Sequence, residues 1–215
     1  MVYDQAISKS ILSLAGLTAL QQSIMNLGMG ILMVQGRINS FGVNVMAAFS
    51  SAVKIDTLAY SPVQDFGNAC STFVAQNYGD RIKQGNRQAS WWILAFCLVI
   101  SSLVVFWAKP LLALFSGDPE VIQIGIGYLR IEGSFYVLIG FLFMFYGYFR
   151  AIDEPMISVV LTIFSLGTRV LLAYLLSAVP SIGYIGIWAS IPIGWALADL
   201  AGLYYLHKKA VKPTN

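Results

Sequence analysis

The sequence predicts an all-α integral membrane protein, a bundle of six transmembrane helices. Three observations predict it. The 215 residues are 58% hydrophobic and only 11% charged, with a mean hydropathy of +0.73, where a soluble domain carries about 25% charged residues. Several stretches hold no charge at all: Ser10 to Gly36, Ser90 to Ala108, Gly133 to Phe149 and Val170 to Ala198. These runs reach the ~17–25 residues that cross a hydrocarbon core as helix. Finally, Lys and Arg outside these runs sort to alternate connections, as multi-pass topology requires.

The first span, roughly 11–35, ends in the turn-forming stretch Gly36-Arg37-Ile38-Asn39-Ser40-Phe41-Gly42. The second, 43–76, closes before Gly79-Asp80. The third, 91–115, opens on Trp91-Trp92 and carries Trp107 about 23 Å further on, a spacing suited to aromatic anchors at both interfaces. The stretch from Asp80 to Ala89 reads as the longest hydrophilic connection. Gly117-Asp118-Pro119 precedes the fourth span, 121–149, and Asp153-Glu154-Pro155 separates it from the fifth, 156–179. Pro180-Ser181-Ile182-Gly183 breaks the last uncharged run, so the sixth span covers 183–206. All six form one lobe over 1–215.

An N-terminus inside places Lys9, Arg81, Lys83, Arg87, Arg150, Lys208, Lys209 and Lys212 in the cytoplasm and only Arg37 and Lys109 outside. Eight cations against two fixes the orientation, with both termini cytoplasmic in a cell (inner) membrane. Met1-Val2-Tyr3-Asp4 lacks the basic region of a signal peptide. Cys70 and Cys97 fall inside apolar helices and imply no disulfide framework. A net charge of +3, scattered along the chain, gives no nucleic-acid footprint.

Enzyme chemistry finds no support. His207 is the single histidine, so neither a metal cluster nor a Ser–His dyad assembles within the chain, and no G-x-S-x-G, H-E-x-x-H or P-loop occurs. No cofactor is expected.

The informative residues are polar ones inside spans. Lys54 and Asp56 lie in the second span and Arg169 lies deep in the fifth. A charge at the bilayer centre costs ~2.5–3.5 kcal/mol even on insertion scales, so it faces a bundle interior or a wet cavity. Asp56 shares a helical face with Tyr60, Gln64, Gly67 and Ser71. In the first span Thr18, Gln22, Asn26 and Gly30 form a second polar stripe, preceded by Gln21 and flanked by Met25, Met29 and Met33. Two readings stay open for both stripes: cavity lining, where thioethers suit variable ligands, and hydrogen-bonded or close helix packing. Pro62 and Pro192 each free a backbone carbonyl inside a span. Helix depth puts Asp56 and Arg169 near the midplane from opposite directions, about 20 Å along their respective helices, where an Asp–Arg contact is expected.

Five segments carry a resemblance. They are Asn39-Ser40-Phe41-Gly42, Ala75-Gln76-Asn77-Tyr78-Gly79-Asp80, Gly147-Tyr148-Phe149-Arg150, Arg169-Val170-Leu171-Leu172-Ala173-Tyr174, and the run from Gly186 to Trp195. In this order they resemble the C-terminal six-helix lobe of the multidrug and toxic compound extrusion (MATE) family. The resemblance implies one lobe of a two-lobe (6+6) secondary antiporter. Such a protein exports organic, often cationic or amphipathic, compounds in exchange for H⁺ or Na⁺ by alternating access.

The implied partners are the lipid bilayer, a small organic substrate, and a missing N-terminal six-helix lobe or a second copy of the chain. Candidate cavity residues are then Gln21, Gln22, Met25, Asn26, Met29, Lys54, Asp56, Tyr60, Gln64 and Arg169. The chain departs from the family's acids in the seventh and tenth helices, where Leu20-Gln21-Gln22-Ser23 and the apolar surroundings of Ile139 stand instead. The coupling-ion site is therefore expected on the missing lobe. Two alternatives remain: a related lipid-linked oligosaccharide flippase lobe, and a structural membrane subunit that transports nothing.

Overall fold

The computed structural model describes residues 12–13, 15–21, 23–24, 32–77 and 80–210, and its regular structure is helical throughout the described residues. Residues 15–21 are helical within the expected first span. Eight helices follow: α1 (Leu32–Asn39), α2 (Val43–Ala75), α3 (Asp80–Phe106), α4 (Ala108–Ala113), α5 (Pro119–Gly133), α6 (Tyr136–Ala151), α7 (Pro155–Ser177) and α8 (Tyr184–Ala210). α3, α7 and α8 are each long and apolar enough to cross a membrane. α5 and α6, bent by 51° across a short break, pass the same test together.

The turn chemistry falls where the sequence places it. Gly42 caps α2 at φ 102, a conformation that favours glycine. Asp118 caps α5, its side chain accepting from the Glu120 N–H at 2.8 Å, with Pro119 at the first helical position.

Four boundaries differ from the sequence reading. Residue 35, the expected end of the first span, falls inside a helix: α1 covers Leu32–Asn39 and the chain turns at Ser40–Phe41. The hydrophilic stretch Asp80 to Ala89 is not a loop but the first turns of α3, its cations lying on a helix that continues into the bilayer. The third span breaks at Trp107, because Pro110 cannot donate to the carbonyl of Phe106. The fourth span breaks at Ser134–Phe135. There Gly133 weakens the helix, and the Ser134 hydroxyl donates to the Arg130 carbonyl at 2.6 Å.

The helices pack most extensively as α7 on α8 and α2 on α6. Glycine permits both contacts. A Cβ on Gly147 would strike the carbonyl oxygen of Gly67, so the α2 and α6 backbones meet there directly. A Cβ on Gly194 would stand 2.9 Å from the Ser165 carbonyl of α7. α3, by contrast, turns Trp91, Trp92, Leu98, Val99 and Phe106 outward. Trp92 and Trp107 are both exposed, as interface anchors require.

Candidate functional site

Asp56 projects from the middle of α2 into the bundle, where it is 2% exposed. The Tyr136 hydroxyl, on the first residue of α6, donates a hydrogen bond to its Oδ1. Glu132, the last residue but one of α5, is also 2% exposed and lies within hydrogen-bonding reach of Asp56. Tyr128, one helical turn earlier, is buried beside both carboxyls. Arg169 of α7, 9% exposed, is the cation whose charge acts on both acids. Three side-chain atoms of this cluster have no hydrogen-bond partner: Asp56 Oδ2, Glu132 Oε2 and Arg169 Nε. Four helices thus bring two acids, one guanidinium and two phenols together in the buried interior, where each charge is tolerable only because of the others.

The candidate residues distribute unevenly around this cluster. Asp56 and Arg169 belong to it, but the partner that bonds Asp56 is Tyr136, and Arg169 acts through its charge. Tyr60 is buried one turn along α2 and packs its ring against Phe143 at 6.3 Å. Gln64, on the same face, is half-buried. Lys54 points elsewhere: it is exposed, with its ammonium 5.8 Å from the centroid of the Phe115 ring. Gln21 is buried and donates to the Thr162 hydroxyl of α7 at 3.2 Å, tying the first span to the bundle. Gln22, Met25, Asn26 and Met29 lie outside the described residues.

Two buried acids were not singled out from sequence. One is Glu132. The other is Asp199 of α8, whose Oδ1 is buried without a partner and which borders an apolar groove of about 430 Å³ lined by Leu138, Phe141, Phe145 and Leu203. An acid inside a predicted span was the available signal for both. Beneath Arg169 a crevice of about 20 Å³, room for one water, is lined by Ile139, Tyr146, Thr162 and Trp195.

A bundle that is helical throughout the described residues, with apolar outer helices, backbone-close glycine contacts and a buried charge cluster, fits a polytopic membrane protein. Residues 15–175 match the family model MatE, and the chain belongs to that family. It is 30% identical over 178 residues to the FAD transporter of Shewanella oneidensis, covering 80% of this chain and 38% of that protein. It is 28% identical over 170 residues to the probable multidrug resistance protein YoeA of Bacillus subtilis, covering 76% and 36%.

Among solved structures it superposes on a MOP superfamily transporter from Pyrococcus furiosus with a TM-score of 0.89 at 25% identity, over 99% of this chain and 49% of that one. The outward-facing conformation of a multidrug resistance MATE family transporter matches with a TM-score of 0.89 at 25% identity, over 97% and 48%. The chain therefore spans about half of the solved transporters and under two fifths of these two relatives. Its fold is part of a two-lobe transporter.

Proposed function

We propose that the chain is a six-span lobe of a secondary antiporter, with both termini cytoplasmic. The antiporter exports organic compounds in exchange for inward H⁺ or Na⁺ by alternating access between this lobe and another. One observation carries the reading: almost the whole chain superposes on about half of a two-lobe MATE transporter. Transport, rather than catalysis, follows from that membership. The lobe contributes a wall rather than a closed cavity, since its own polar cluster is buried inside the bundle and Lys54 is exposed on the lobe's surface. The coupling-ion site of the antiport reading lies on the other lobe.

A second substrate class is favoured by the 30% identity to an FAD transporter. Under that reading the cargo is an anionic dinucleotide rather than an amphipathic cation. Expression in an efflux-deficient strain, together with the companion lobe, separates the two. Increased tolerance to a cationic dye supports the first cargo, and FAD accumulation in the medium supports the second. Neither effect, with both lobes present in the membrane, refutes transport of these classes.

A further inference from the structure

α6 and α8 pack side by side and frame an apolar groove of about 430 Å³. α6 presents Phe141 and Phe145 to it. α8 presents Ala196, Asp199, Leu200 and Leu203, which recur at three- and four-residue spacing along one helical face. The two helices touch at Gly202, where a Cβ would stand 2.8 Å from the Phe145 ring. Leu200 and Leu203 are 63% and 51% exposed, so the groove opens away from the bundle. Asp199 is the one charged residue among those lining it. It is 7% exposed, and its Oδ1 is buried without a hydrogen-bond partner.

The structural uses of an acid inside a span do not account for Asp199. Hydrogen-bonded helix packing needs a donor, and its Oδ1 has none. An ion pair needs a cation, and no cation among the described residues acts on its carboxyl. Asp56, Glu132 and Arg169 do not share its surroundings. Tyr146, near enough to feel its charge, has its hydroxyl bonded to Thr162. Water along the helix is also out of reach. The exposed polar end of α8 begins at His207, eight positions on, which is about 12 Å of helical rise. Long Lys and Arg stems cover such a distance, and the short stem of Asp does not.

A cation from outside the chain supplies the missing partner, and the groove sets its chemistry. A hard metal ion such as Ca²⁺ takes six or more oxygens, and one carboxyl among apolar side chains does not supply them. A lipid amine headgroup would have to sink about 12 Å past the polar end of α8, taking its phosphate out of water with it. An organic cation with an apolar body meets neither obstacle. Its body buries against Phe141, Phe145 and Leu200, its charge pairs with Asp199, and the ring faces add cation–π attraction. The groove's volume also lies within the ~300–1,000 Å³ of small-molecule sites.

We propose that the α6–α8 groove binds a monovalent amphipathic organic cation, with Asp199 as its counter-ion. The site is contained in this lobe, so it stands or falls separately from transport between two lobes.

The test uses the protein in phosphatidylglycerol nanodiscs, a diazirine-bearing alkyltrimethylammonium probe, and the alcohol of the same chain length. Photolabelling by the ammonium probe should saturate and map to residues 138–145 and 196–203, while the alcohol labels without saturation. Asp199→Asn should weaken the saturable component about tenfold or more, and Asp199→Glu should keep most of it. Ala196→Phe, which fills the groove and leaves the acid in place, should remove it as well. Thermal unfolding of Asp199→Asn should match or exceed that of the unaltered protein, since the substitution removes an unpaired buried acid. No saturable labelling at these residues, equal saturation by the alcohol, or labelling that survives both Asp199→Asn and Ala196→Phe would overturn the site. Full displacement of the probe by added phosphatidylethanolamine would overturn the proposed occupant, because a lipid amine would then fill the groove.

Discussion

α3 and α2 are neighbours built to opposite rules. α3 is uncharged from Ser90 to its end, passes easily as a membrane span, and gives most of that surface away: Trp91, Trp92, Leu98 and Val99 are all exposed. α2 is longer, carries Lys54, Asp56 and Asp65, and is not among the described helices apolar enough to qualify as spans. Yet α2 buries Asp56, Tyr60, Val63 and Gly67 along one side and is packed against more of the bundle. In a membrane, apolarity marks the helix whose neighbour is lipid. Polarity at fixed spacing marks the helix whose neighbours are other helices, since only there do backbone contacts and hydrogen bonds have partners.

The contrast can be broken by substitution, and the largest effect should fall on the α2–α6 seam. Gly147→Val places branched carbons against the Gly67 carbonyl, so the helices must separate. We expect a loss of more than about 3 kcal/mol, seen as several-fold lower folded yield in detergent gel filtration. Arg169→Gln leaves the two acids without their cation, and should cost about 3–5 kcal/mol in thermal unfolding. Arg37→Ala removes the bonds from its guanidinium to the Ser177 hydroxyl at 2.8 Å and carbonyl at 3.1 Å, which clip α1 to the end of α7. A loss of about 1–2 kcal/mol should follow in the same assay. At the lipid-facing extreme, Leu98→Ala or Val99→Ala on α3 should change stability by less than about 0.5 kcal/mol. A loss there as large as at Arg37 would mean that α3 has a protein neighbour.

The sequence made much of this arrangement legible, for identifiable reasons. Turn residues at Gly42, Asp118 and Pro155 mark helix starts because their backbone conformations leave few alternatives. Depth along a helix places Asp56 and Arg169 on either side of the midplane, about 10 Å apart, because rise per residue is constant. The same arithmetic applied to the fourth span puts Glu132 as far from Pro119 as Asp56 is from Val43, and so level with it. The break itself was hidden because Gly133-Ser134 is compatible with a continuous span. In the structure the ladder ends there in short turns, with the Phe135 N–H donating to the Glu132 carbonyl at 3.0 Å. Lys54 illustrates the reverse limit: it lies two residues from Asp56, which turns it to another face, and its partner is an aromatic ring of a different segment.

The difference between the two helices rests on one claim, that Asp56, Glu132 and Arg169 are a single self-neutralising unit rather than three separate buried charges. Thermal unfolding in nanodiscs at neutral pH tests it directly, comparing Arg169→Gln with the triple variant Asp56→Asn, Glu132→Gln, Arg169→Gln. A unit whose charges exist for one another predicts that removing all three restores stability, so the triple variant melts above the single one by an amount worth about 1–3 kcal/mol. If the triple variant melts below Arg169→Gln, the charges contribute independently and the claim is wrong.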